Sequence, residues 1–480
     1  MKSKWLAILV ATMMTLSLAV GVAVANPGQG QGPPDHAQNN NRGGAGEDCP
    51  AAPAVAAKLL SEAGVNHRYG EGPDGGNYVS DVAREMGPGT DFDGVEKCDE
   101  DAYREAVAEF LVEQGADVEA PEPIVEEGEV WNKTQNEYYE TIQGAIDEAE
   151  AEDKILVGSG EYEENVVIDG DEKDLDGLIL KGYSEEDRPV IDSKDHGIRI
   201  MDVEDVTLKN FTVDGAEGRG VYATRTDGIT IDNVLTKNNE NDGIRVRESE
   251  DATVQNSMSI DNNGDGITFY AYGSVLNNEV GNNVERGIYH NGKSADSGTG
   301  HVIISGNEVY GNQLEHTWID HHAAGIEVYA GRDGKHTLSA EVENNIVYDN
   351  KANGILLYKV NHETGVGMVD SENKSIVKGN EVSNTVNLEG KTPVGDGILI
   401  YKSHYVTVED NVVDNNEHAG VRVTVDYHYD YSDEFPIEGN EVVDNIITNN
   451  YYGVLIEAGA EETLVEDNTY EGNEENEKRD

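Results

Sequence analysis

The pattern of the stretch Gly197-Ile198-Arg199-Ile200 recurs nine times further along the chain. The later copies begin at Gly220, Gly243, Gly266, Gly287, Gly325, Gly354, Gly397, Gly420 and Gly453. Each copy is a glycine followed by an apolar, a variable and usually a second apolar residue, an alternation typical of a strand with one buried face. Because the first four glycines lie 23 residues apart, the pattern indicates an internal repeat.

Asparagines form a second series that keeps step with the glycines. Its members are Asn210, Asn233, Asn256, Asn278, Asn307, Asn345, Asn380, Asn411, Asn440 and Asn468. Each repeat contains two or three short strand-like runs and no helical pattern, which is typical of a β-solenoid. The sequence therefore predicts an all-β fold, a right-handed parallel β-helix with one coil per repeat. We expect the asparagines to stack as an amide ladder at one turn, and the glycines to occupy a turn that needs positive φ or a close backbone approach.

The composition narrows the range of partners. The chain has 480 residues, with 34 Lys and Arg against 95 Asp and Glu, so its formal net charge is −61. Such a charge repels phosphate groups and predicts that the protein does not bind nucleic acid. Acidic surfaces stay hydrated in concentrated salt, where their self-repulsion is screened. The composition resembles that of haloarchaeal secreted proteins.

Residues 1–25 have the pattern of a signal peptide. Lys2 and Lys4 precede an apolar run from Leu6 to Val24, and a small-residue cleavage site ends at Ala25. A membrane anchor is the alternative for this segment, but the sequence contains no second long apolar run. We therefore expect a secreted protein with no transmembrane anchor in the mature chain.

Composition shifts divide the rest of the chain. Residues 26–47 are rich in Gly, Pro, Gln and Asn and predict a flexible linker. Residues 48–118 carry apolar residues at helical spacing and predict a small α-helical module. Cys49 and Cys98 are the two cysteines of the chain, and we expect them to close this module as a disulfide. The remaining predicted segments are an acidic linker at 119–130, the β-helix at 131–475 and an acidic tail at 476–480.

A short amphipathic helix pattern from Tyr138 to Ala149 opens the segment that contains the repeats. The strand-like runs Lys154–Val157, Gly160–Tyr162, Val166–Ile168 and Leu178–Gly182 follow it. This order resembles the opening of the pectin-lyase-like superfamily, and it also resembles archaeal β-helix repeat proteins related to the periplasmic NosD type. The resemblance implies a helix that caps the first coil. It implies no single activity, because this fold is found in lyases, hydrolases, epimerases and non-enzymes.

The repeat becomes irregular over its middle and late coils. The distance from glycine to asparagine is 13 residues in the first three coils but reaches 20 or more in four later ones. The distance from asparagine to the next glycine lengthens from 10 to 17 or 18 in two places. Extra residues thus enter on both sides of the glycine strand, and loops on both sides of one sheet form the walls of a groove.

Outward-facing positions of the glycine strands would form the floor of this groove. The predicted substrate-binding residues are Tyr270, Tyr289, Tyr329 and Tyr401, with Tyr358 in one exposed column with the last two. Exposed tyrosines offer flat apolar area with a polar tip, which suits sugar rings. Lys359 and Lys402 follow two of these tyrosines and predict a positive spot for a uronate or sulfate group. The alternative is a structural tyrosine ladder whose lysines neutralise nearby carboxylates.

Histidines cluster in the insertion before Gly325, where Asp320 stands beside His321 and His322. A histidine near a carboxylate is suited to act as a general acid or base. The Asp-His pair resembles in part the Asp-Pro-His-Asp motif of alginate-type epimerases. A metal site at His316, Asp320 and His322 is the first alternative, and a polar loop with incidental histidines is the second. Calcium held by Asp and Asn side chains at turns is the open cofactor alternative.

Three hypotheses follow for the function. The first is an enzyme that acts on acidic polysaccharide by β-elimination or C5 epimerisation, which requires a base, a cation and an acid. Its predicted catalytic residues are Asp320, His321, His322, Glu327, Tyr358, Lys359, Lys402 and Arg422. The histidines would serve as base, the lysines or Arg422 would stabilise charge, and a tyrosine would serve as acid, whereas hydrolysis would use Asp320 with Glu327. The others are a non-catalytic cell-surface solenoid that binds glycans and a NosD-like accessory protein that handles metal.

Overall fold

A computed structural model describes residues 125–292, 299–312, 323–330, 337–361, 374–387, 395–425 and 436–480. They belong to a compact unit that spans Pro123–Asp480. The predicted signal peptide, flexible linker and helical module, with Cys49 and Cys98, lie outside the described residues. Within the described part of the chain, no helix is long and apolar enough to cross a membrane.

Three sheets make up this unit, and the chain visits them in rotation. Sheet A contains β1 (Val130–Asn132), β2 (Glu137–Tyr139), β3 (Lys154–Val157), β6 (Ile179–Gly182), β9 (Thr207–Lys209), β12 (Thr230–Asp232), β15 (Ala252–Gln255), β18 (Gly273–Leu276), β21 (Thr299–Ser305), β24 (Thr337–Glu343), β27 (Ser375–Lys378), β30 (Val406–Glu409), β33 (Glu441–Val443) and β36 (Leu464–Glu466).

Sheet B contains β4 (Gly160–Glu163), β7 (Pro189–Asp192), β10 (Thr212–Asp214), β13 (Leu235–Lys237), β16 (Met258–Ile260), β19 (Glu279–Gly281), β22 (Glu308–Tyr310), β25 (Ile346–Tyr348), β28 (Glu381–Ser383), β31 (Val412–Asp414), β34 (Ile446–Thr448) and β37 (Thr469–Glu471). Sheet C contains β5 (Val166–Asp169), β8 (Ile198–Met201), β11 (Val221–Thr224), β14 (Ile244–Arg247), β17 (Ile267–Tyr270), β20 (Ile288–Asn291), β23 (Ala324–Tyr329), β26 (Asn353–Tyr358), β29 (Asp396–Tyr401), β32 (Ala419–Thr424), β35 (Tyr452–Ile456) and β38 (Glu475–Arg479).

All ten glycine copies lie in sheet C, and they pair in parallel with like residues in register. Ile198 pairs with Val221, Val221 with Ile244, and Ile244 with Ile267, and all four side chains are fully buried. Stacking at about 4.8 Å per coil therefore places apolar residues over one another along the core. The predicted all-β parallel solenoid is confirmed.

The repeat glycines are required by close packing and not by backbone conformation. None of the ten has positive φ. A Cβ added to Gly197 would lie 2.2 Å from Cγ1 of Val213, and one added to Gly243 would lie 2.0 Å from Oγ of Ser259. Of the two expectations for these glycines, the close approach is the correct one.

Asparagines form two buried ladders where one was predicted. The first runs between sheets A and B through Asn278, Asn307, Asn345, Asn380, Asn411, Asn445 and Asn468. The second runs between sheets B and C through Asn239, Asn262, Asn283, Asn312 and Asn350, and again through Asn416, Asn450 and Asn473. Each amide bonds to the amide of the next coil, so the turns are stacked by side chains as well as by strands.

The predicted asparagine series is wrong in four places. Asn210, Asn233 and Asn256 stand one residue before the ladder position and have φ of 61°, 55° and 50°. They occupy the left-handed corner of the turn, which asparagine tolerates well. Asn440 lies outside the ladder, where it donates to the carbonyl of Ser403, and Asn445 takes the place in the ladder.

Both ends of the solenoid differ from the prediction. The helix α1 spans Ile142–Glu148, with Thr141 accepting a bond from the amide of Gly144, whereas Tyr138 lies in β2 opposite Trp131. The helix buries Ile142, Ala145 and Ile146 against the first strands; its role as a cap stays a prediction. Residues 476–480 are not a free tail, because most of them form β38, the last rung of sheet C.

Candidate functional site

In the order of the chain, insertions of the repeat fall both before and after strands of sheet C, which agrees with the spacing. At one edge they stand between β22 and β23 and between β28 and β29; at the other they stand between β20 and β21, β23 and β24, β26 and β27, and β32 and β33. His316, Asp320, His321 and His322 belong to the insertion before β23, outside the described residues. Their predicted roles as base or metal ligands therefore stay predictions.

Three columns of side chains cross the outer face of sheet C, and each column holds one residue per strand. The first edge column, immediately before each glycine, is His196, Arg219, Asp242, Asp265, Arg286, Ala324, Asn353, Asp396, Ala419 and Tyr452. The central column is Arg199, Tyr222, Arg245, Thr268, Tyr289, Glu327, Leu356, Leu399, Arg422 and Leu455. The second edge column contains Tyr270, Tyr329, Tyr358, Tyr401 and Thr424.

Three tyrosines of the second edge column stack, as predicted. The ring centroids of Tyr329 and Tyr358 lie 4.7 Å apart, and those of Tyr358 and Tyr401 lie 4.8 Å apart. The ammonium groups of Lys359 and Lys402 lie 5.1 and 5.2 Å from the ring centroids of Tyr358 and Tyr401. The predicted exposure is wrong for Tyr401, which is 5% exposed, whereas Tyr329 and Tyr358 are half-buried.

Glu327 is buried beside an arginine in the central column. Its carboxylate lies 2.7 Å from Arg286, whose guanidinium also lies 3.4 Å from Asp265 and stacks 3.9 Å from the ring centroid of Tyr289. Burial raises the pKa of Glu327 to about 7, since desolvation outweighs the nearby arginine. Burial also raises the pKa of Tyr289. A carboxyl group that titrates near neutrality is suited to proton transfer.

The predicted substrate-binding residues Tyr270 and Tyr289 adjoin this cluster. Their rings meet edge to face with centroids 5.4 Å apart, and Arg245 lies 4.9 Å from the ring centroid of Tyr270. Tyr289 is 8% exposed, so its ring is a packed part of the floor. Tyr270 is half-buried.

A second titratable cluster lies three coils further along. His418 Nδ1 lies 2.6 Å from Oδ1 of Asp396, so the tautomer with a proton on Nδ1 donates to the carboxylate and leaves Nε2 as an acceptor. Arg422 approaches Oδ2 of Asp396 at 3.4 Å and donates to Glu457 at 2.8 Å. Asp396 is fully buried, whereas the side chain of His418 is 17% exposed. This geometry orients a histidine as a general base.

The structure divides the predicted catalytic set. Asp396 and Tyr401 stand at opposite ends of β29, five residues and therefore roughly 16 Å apart. Lys402 and the tyrosine column thus lie on one edge of the face, and His418 lies on the other. Arg422, which was predicted to stabilise charge on a substrate, is 4% exposed and bonds to two carboxylates; its predicted role stays a prediction.

Asp396, His418 and Arg286 were missed in the sequence. The signal for Asp396 and Arg286 was the position just before the glycine, which holds a charged residue or histidine in several copies; His418 stands two residues before Gly420. In the copies at Gly325, Gly354, Gly397 and Gly420 the strand begins with that residue, so its side chain belongs to the floor of the face.

Comparison with known families matches the repeated part of the chain. Residues 165–309, 196–366 and 297–477 match the family model described as a right handed beta helix region. The chain belongs to the right-handed β-helix family. No curated protein sequence matches this β-helix protein. The NosD-like subtype stays a prediction.

Several solved structures are similar to this β-helix protein, and one of them reaches a TM-score above 0.5. The A-module of mannuronan C-5 epimerase AlgE4 from Azotobacter vinelandii is 17% identical, with a TM-score of 0.51 over 70% of this chain and 92% of that one. The A-module of AlgE6 from the same organism is 18% identical, with a TM-score of 0.49 over 70% and 90%. An alginate lyase from Paenibacillus is 12% identical, with a TM-score of 0.34 over 70% and 96%. At such identity the likeness shows the fold alone.

An apolar strip separates the two titratable clusters of the β-helix protein. Ala323, Ala324, Ala352, Leu356, Leu399 and Tyr401 form a cluster distinct from the main core, with Tyr358 packed against it. Leu356 and Leu399 are fully buried although they belong to the outward-facing central column.

Calcium was the open cofactor alternative, and one cluster of three carboxylates among the described residues could hold a metal ion. The carboxylates of Asp169, Asp171 and Asp202 lie within 4.8 Å of one another at the end of sheet C. Asp202 is engaged by the guanidinium of Arg225 through two hydrogen bonds. The arginine supplies the positive charge that this carboxylate needs.

Proposed function

We propose that this β-helix protein acts on carbohydrate, and that the outer face of sheet C is its polysaccharide groove. The observation that supports the proposal best is the stacked column of Tyr329, Tyr358 and Tyr401 on the one sheet whose two edges both carry the insertions. Tyr329 and Tyr358 are half-buried, and their rings offer flat apolar area with polar tips. Under this proposal the insertions that enter the chain before and after these strands would wall a cleft whose floor is that area.

We propose an acidic polysaccharide as the substrate class. Nine arginines lie among the described residues, and six of them lie on this face: Arg199, Arg219, Arg245, Arg247, Arg286 and Arg422. Arg286 and Arg422 are largely buried and paired with carboxylates of the protein, so the other four are the ones that reach the surface. Lys359 and Lys402 add two cations beside the tyrosine column. In a chain with a net charge of −61, this concentration favours a ligand that carries carboxylate groups.

We propose β-elimination or C5 epimerisation as the chemistry. Both reactions remove a proton next to a carboxylate and return one, so they need an oriented base and an acid. Among the described residues His418 is the best candidate for the base, since Asp396 fixes its tautomer and its ring reaches the surface. Glu327 is a candidate acid with a pKa of about 7. His321 and His322 remain candidates from the sequence.

The two described candidates serve different positions along the groove. Glu327 and His418 belong to coils that are three strands apart, or about 14 Å. They cannot contact the same sugar ring, so each would act with a partner from the insertions. A non-catalytic glycan-binding solenoid is the second candidate function. It is favoured by the burial of Glu327, which is 1% exposed.

Incubation with polymannuronate and polygalacturonate tests the proposal. A rise in ultraviolet absorbance from unsaturated uronate is the expected result for a lyase, and a change in polymer composition by NMR is the expected result for an epimerase. Retention of the polymers without either change favours the binding solenoid. If the polymers are neither turned over nor retained, the proposed groove is rejected.

We also propose that the protein is secreted and functions in concentrated salt. The signal-peptide pattern of residues 1–25 and the net charge of −61 support this setting. Unfolding temperatures measured from low to molar salt test it. We expect stability to rise steeply with salt, and a flat dependence would contradict the proposal.

A further inference from the structure

An arginine patch covers the outer face of sheet C in its first coils, away from the insertions. It consists of Arg199, Arg219, Arg245 and Arg247, with Tyr222 and Tyr270 between them. The strand pairing holds these residues in register, because Tyr222 pairs with both Arg199 and Arg245, and Arg247 pairs with Tyr270. All six side chains are half-buried, so each one is held by the floor and reaches the surface.

Tyrosine rings and carboxylates hold the guanidinium groups of the patch in place. Arg219 lies 5.2 Å from the ring centroid of Tyr222, and Arg245 lies 4.9 Å from that of Tyr270. Asp242 accepts from both arginines, at 3.0 Å from Arg219 and 3.2 Å from Arg245. A stacked, hydrogen-bonded guanidinium loses little further freedom when it binds a carboxylate.

The patch has more positive charge than its carboxylates neutralise. Four guanidinium groups face two bonded carboxylates, those of Asp242 and Glu248, which leaves a local charge of +2. Arg199 forms no ion pair with any described carboxylate. Burial lowers the pKa of the neighbouring His196, with Arg199 and Arg219 acting in the same direction. The excess stands out in a chain whose net charge is −61.

The position of the patch relates it to the groove. It lies on β8, β11, β14 and β17, which repeat every 23 residues without insertions. β17 is two strands, or about 10 Å, from β23, which holds Glu327 and Tyr329. A polymer that follows the stacked tyrosines along the solenoid axis would therefore continue onto the patch.

We infer that the arginine patch is a binding subsite for the carboxylate groups of a uronate polymer, and that it holds the polymer beyond the stacked tyrosines. Planar guanidinium groups bind carboxylates through two parallel hydrogen bonds, and the interleaved tyrosine rings contact the sugar faces. The inference rests on the proposed function for the class of polymer. It does not depend on any catalytic step.

Calorimetric titration of the full chain tests the subsite, with polygalacturonate as the uronate, dextran sulfate as the sulfated polymer and dextran as the neutral one. We expect Arg199→Gln and Arg245→Gln each to weaken polygalacturonate binding about tenfold, since a charge-assisted contact is lost. Arg225→Gln is the matched control. It removes the same charge from a half-exposed arginine that pairs with Asp202 at a turn outside the face.

Several results would overturn the inference. The inference fails if both patch variants bind polygalacturonate with wild-type affinity. It also fails if Arg225→Gln loses as much affinity as they do, or if the wild type binds dextran as tightly as polygalacturonate. Binding of dextran sulfate without polygalacturonate would overturn the uronate assignment. If polygalacturonate binding falls in the patch variants but no polymer is turned over, the subsite stands and the catalytic proposal fails. If turnover occurs and the patch variants keep the wild-type KM, the catalytic proposal stands and the subsite fails.

Discussion

The ring of His418 is fixed against Asp396, with Nδ1 2.6 Å from Oδ1 of a carboxylate that is fully buried. The two residues are 22 positions apart in the chain but occupy adjacent coils at the same edge of sheet C. Arg422 donates to the other carboxylate oxygen at 3.4 Å. The arrangement gives the face one oriented histidine whose second nitrogen is free of this carboxylate.

Replacement of that histidine tests the proposed base. If turnover of a uronate polymer is found, we expect His418→Gln to lower kcat at least about 100-fold, because general-base catalysis is lost. Thermal unfolding should change little, since the ring lies at the edge of the face. His301→Gln is the control, because His301 lies in sheet A and bonds to Ser339. Equal kcat in His418→Gln and wild type would exclude His418 as the base.

Glu327 makes stability depend on pH around neutrality. Burial raises its pKa from 4.5 to about 7, so the folded protein binds one more proton than the unfolded chain between these values. The free energy of unfolding from this group therefore falls as pH rises from about 4.5 to 7. We expect Glu327→Gln to remove that decline, measured by denaturant unfolding at several pH values. A variant with the same pH profile as the wild type would contradict the raised pKa.

His290 gives a dependence of the opposite sign. It points into the core between Phe269 and Val328, and burial lowers its pKa from 6.5 to about 3. The unfolded chain binds the proton first, so the stability from this group is complete above about pH 6.5 and is lost as pH falls towards 3. The full loss is up to about 5 kcal/mol, at 1.36 kcal/mol for each pH unit. We expect His290→Leu to be less sensitive to acid than the wild type in denaturant unfolding; equal sensitivity would contradict this account.

Thr385 interrupts the second asparagine ladder, between Asn350 and Asn416. Its backbone amide donates to Asn416, but its buried hydroxyl has no hydrogen-bond partner among the described residues. We expect Thr385→Asn to complete the ladder and to raise the free energy of unfolding by about 1 kcal/mol, the contribution of one net hydrogen bond. Asn350→Thr, which breaks the ladder in the same way one coil earlier, should lower it. A lower free energy of unfolding in Thr385→Asn, or a higher one in Asn350→Thr, would show that the ladder does not stabilise the turns.

The fold was accessible from the sequence because it depends on a period. The repeated pattern that begins at Gly197 predicts the strands of sheet C. Ile198 stacks on the equivalent residues of later coils because the strands pair in register. The asparagine ladder was assigned with the wrong phase in places. A left-handed corner and a ladder position stand next to each other in each turn, and asparagine suits both, as Asn233 and Asn278 show.

Only part of the candidate site could be predicted from the sequence. The stacking of Tyr358 on Tyr401 follows from the same register that builds the core. The burial of Tyr401 does not, because the register of the strands fixes which side chains stack and not how much of each one is exposed. The pairing of Asp396 with His418 was invisible for a related reason, since it joins positions before two successive glycines across coils of different length.

Binding of polygalacturonate to Tyr358→Ala tests the central claim most directly, by calorimetric titration beside Tyr348→Ala. Tyr348 is the matched control, because its ring stacks on Tyr310 with centroids 5.3 Å apart but lies on sheet B. We predict about tenfold weaker binding for Tyr358→Ala, from the loss of a stacked aromatic surface, and unchanged binding for Tyr348→Ala. Wild-type affinity in Tyr358→Ala, or an equal loss in both variants, would contradict a polysaccharide groove on the outer face of sheet C.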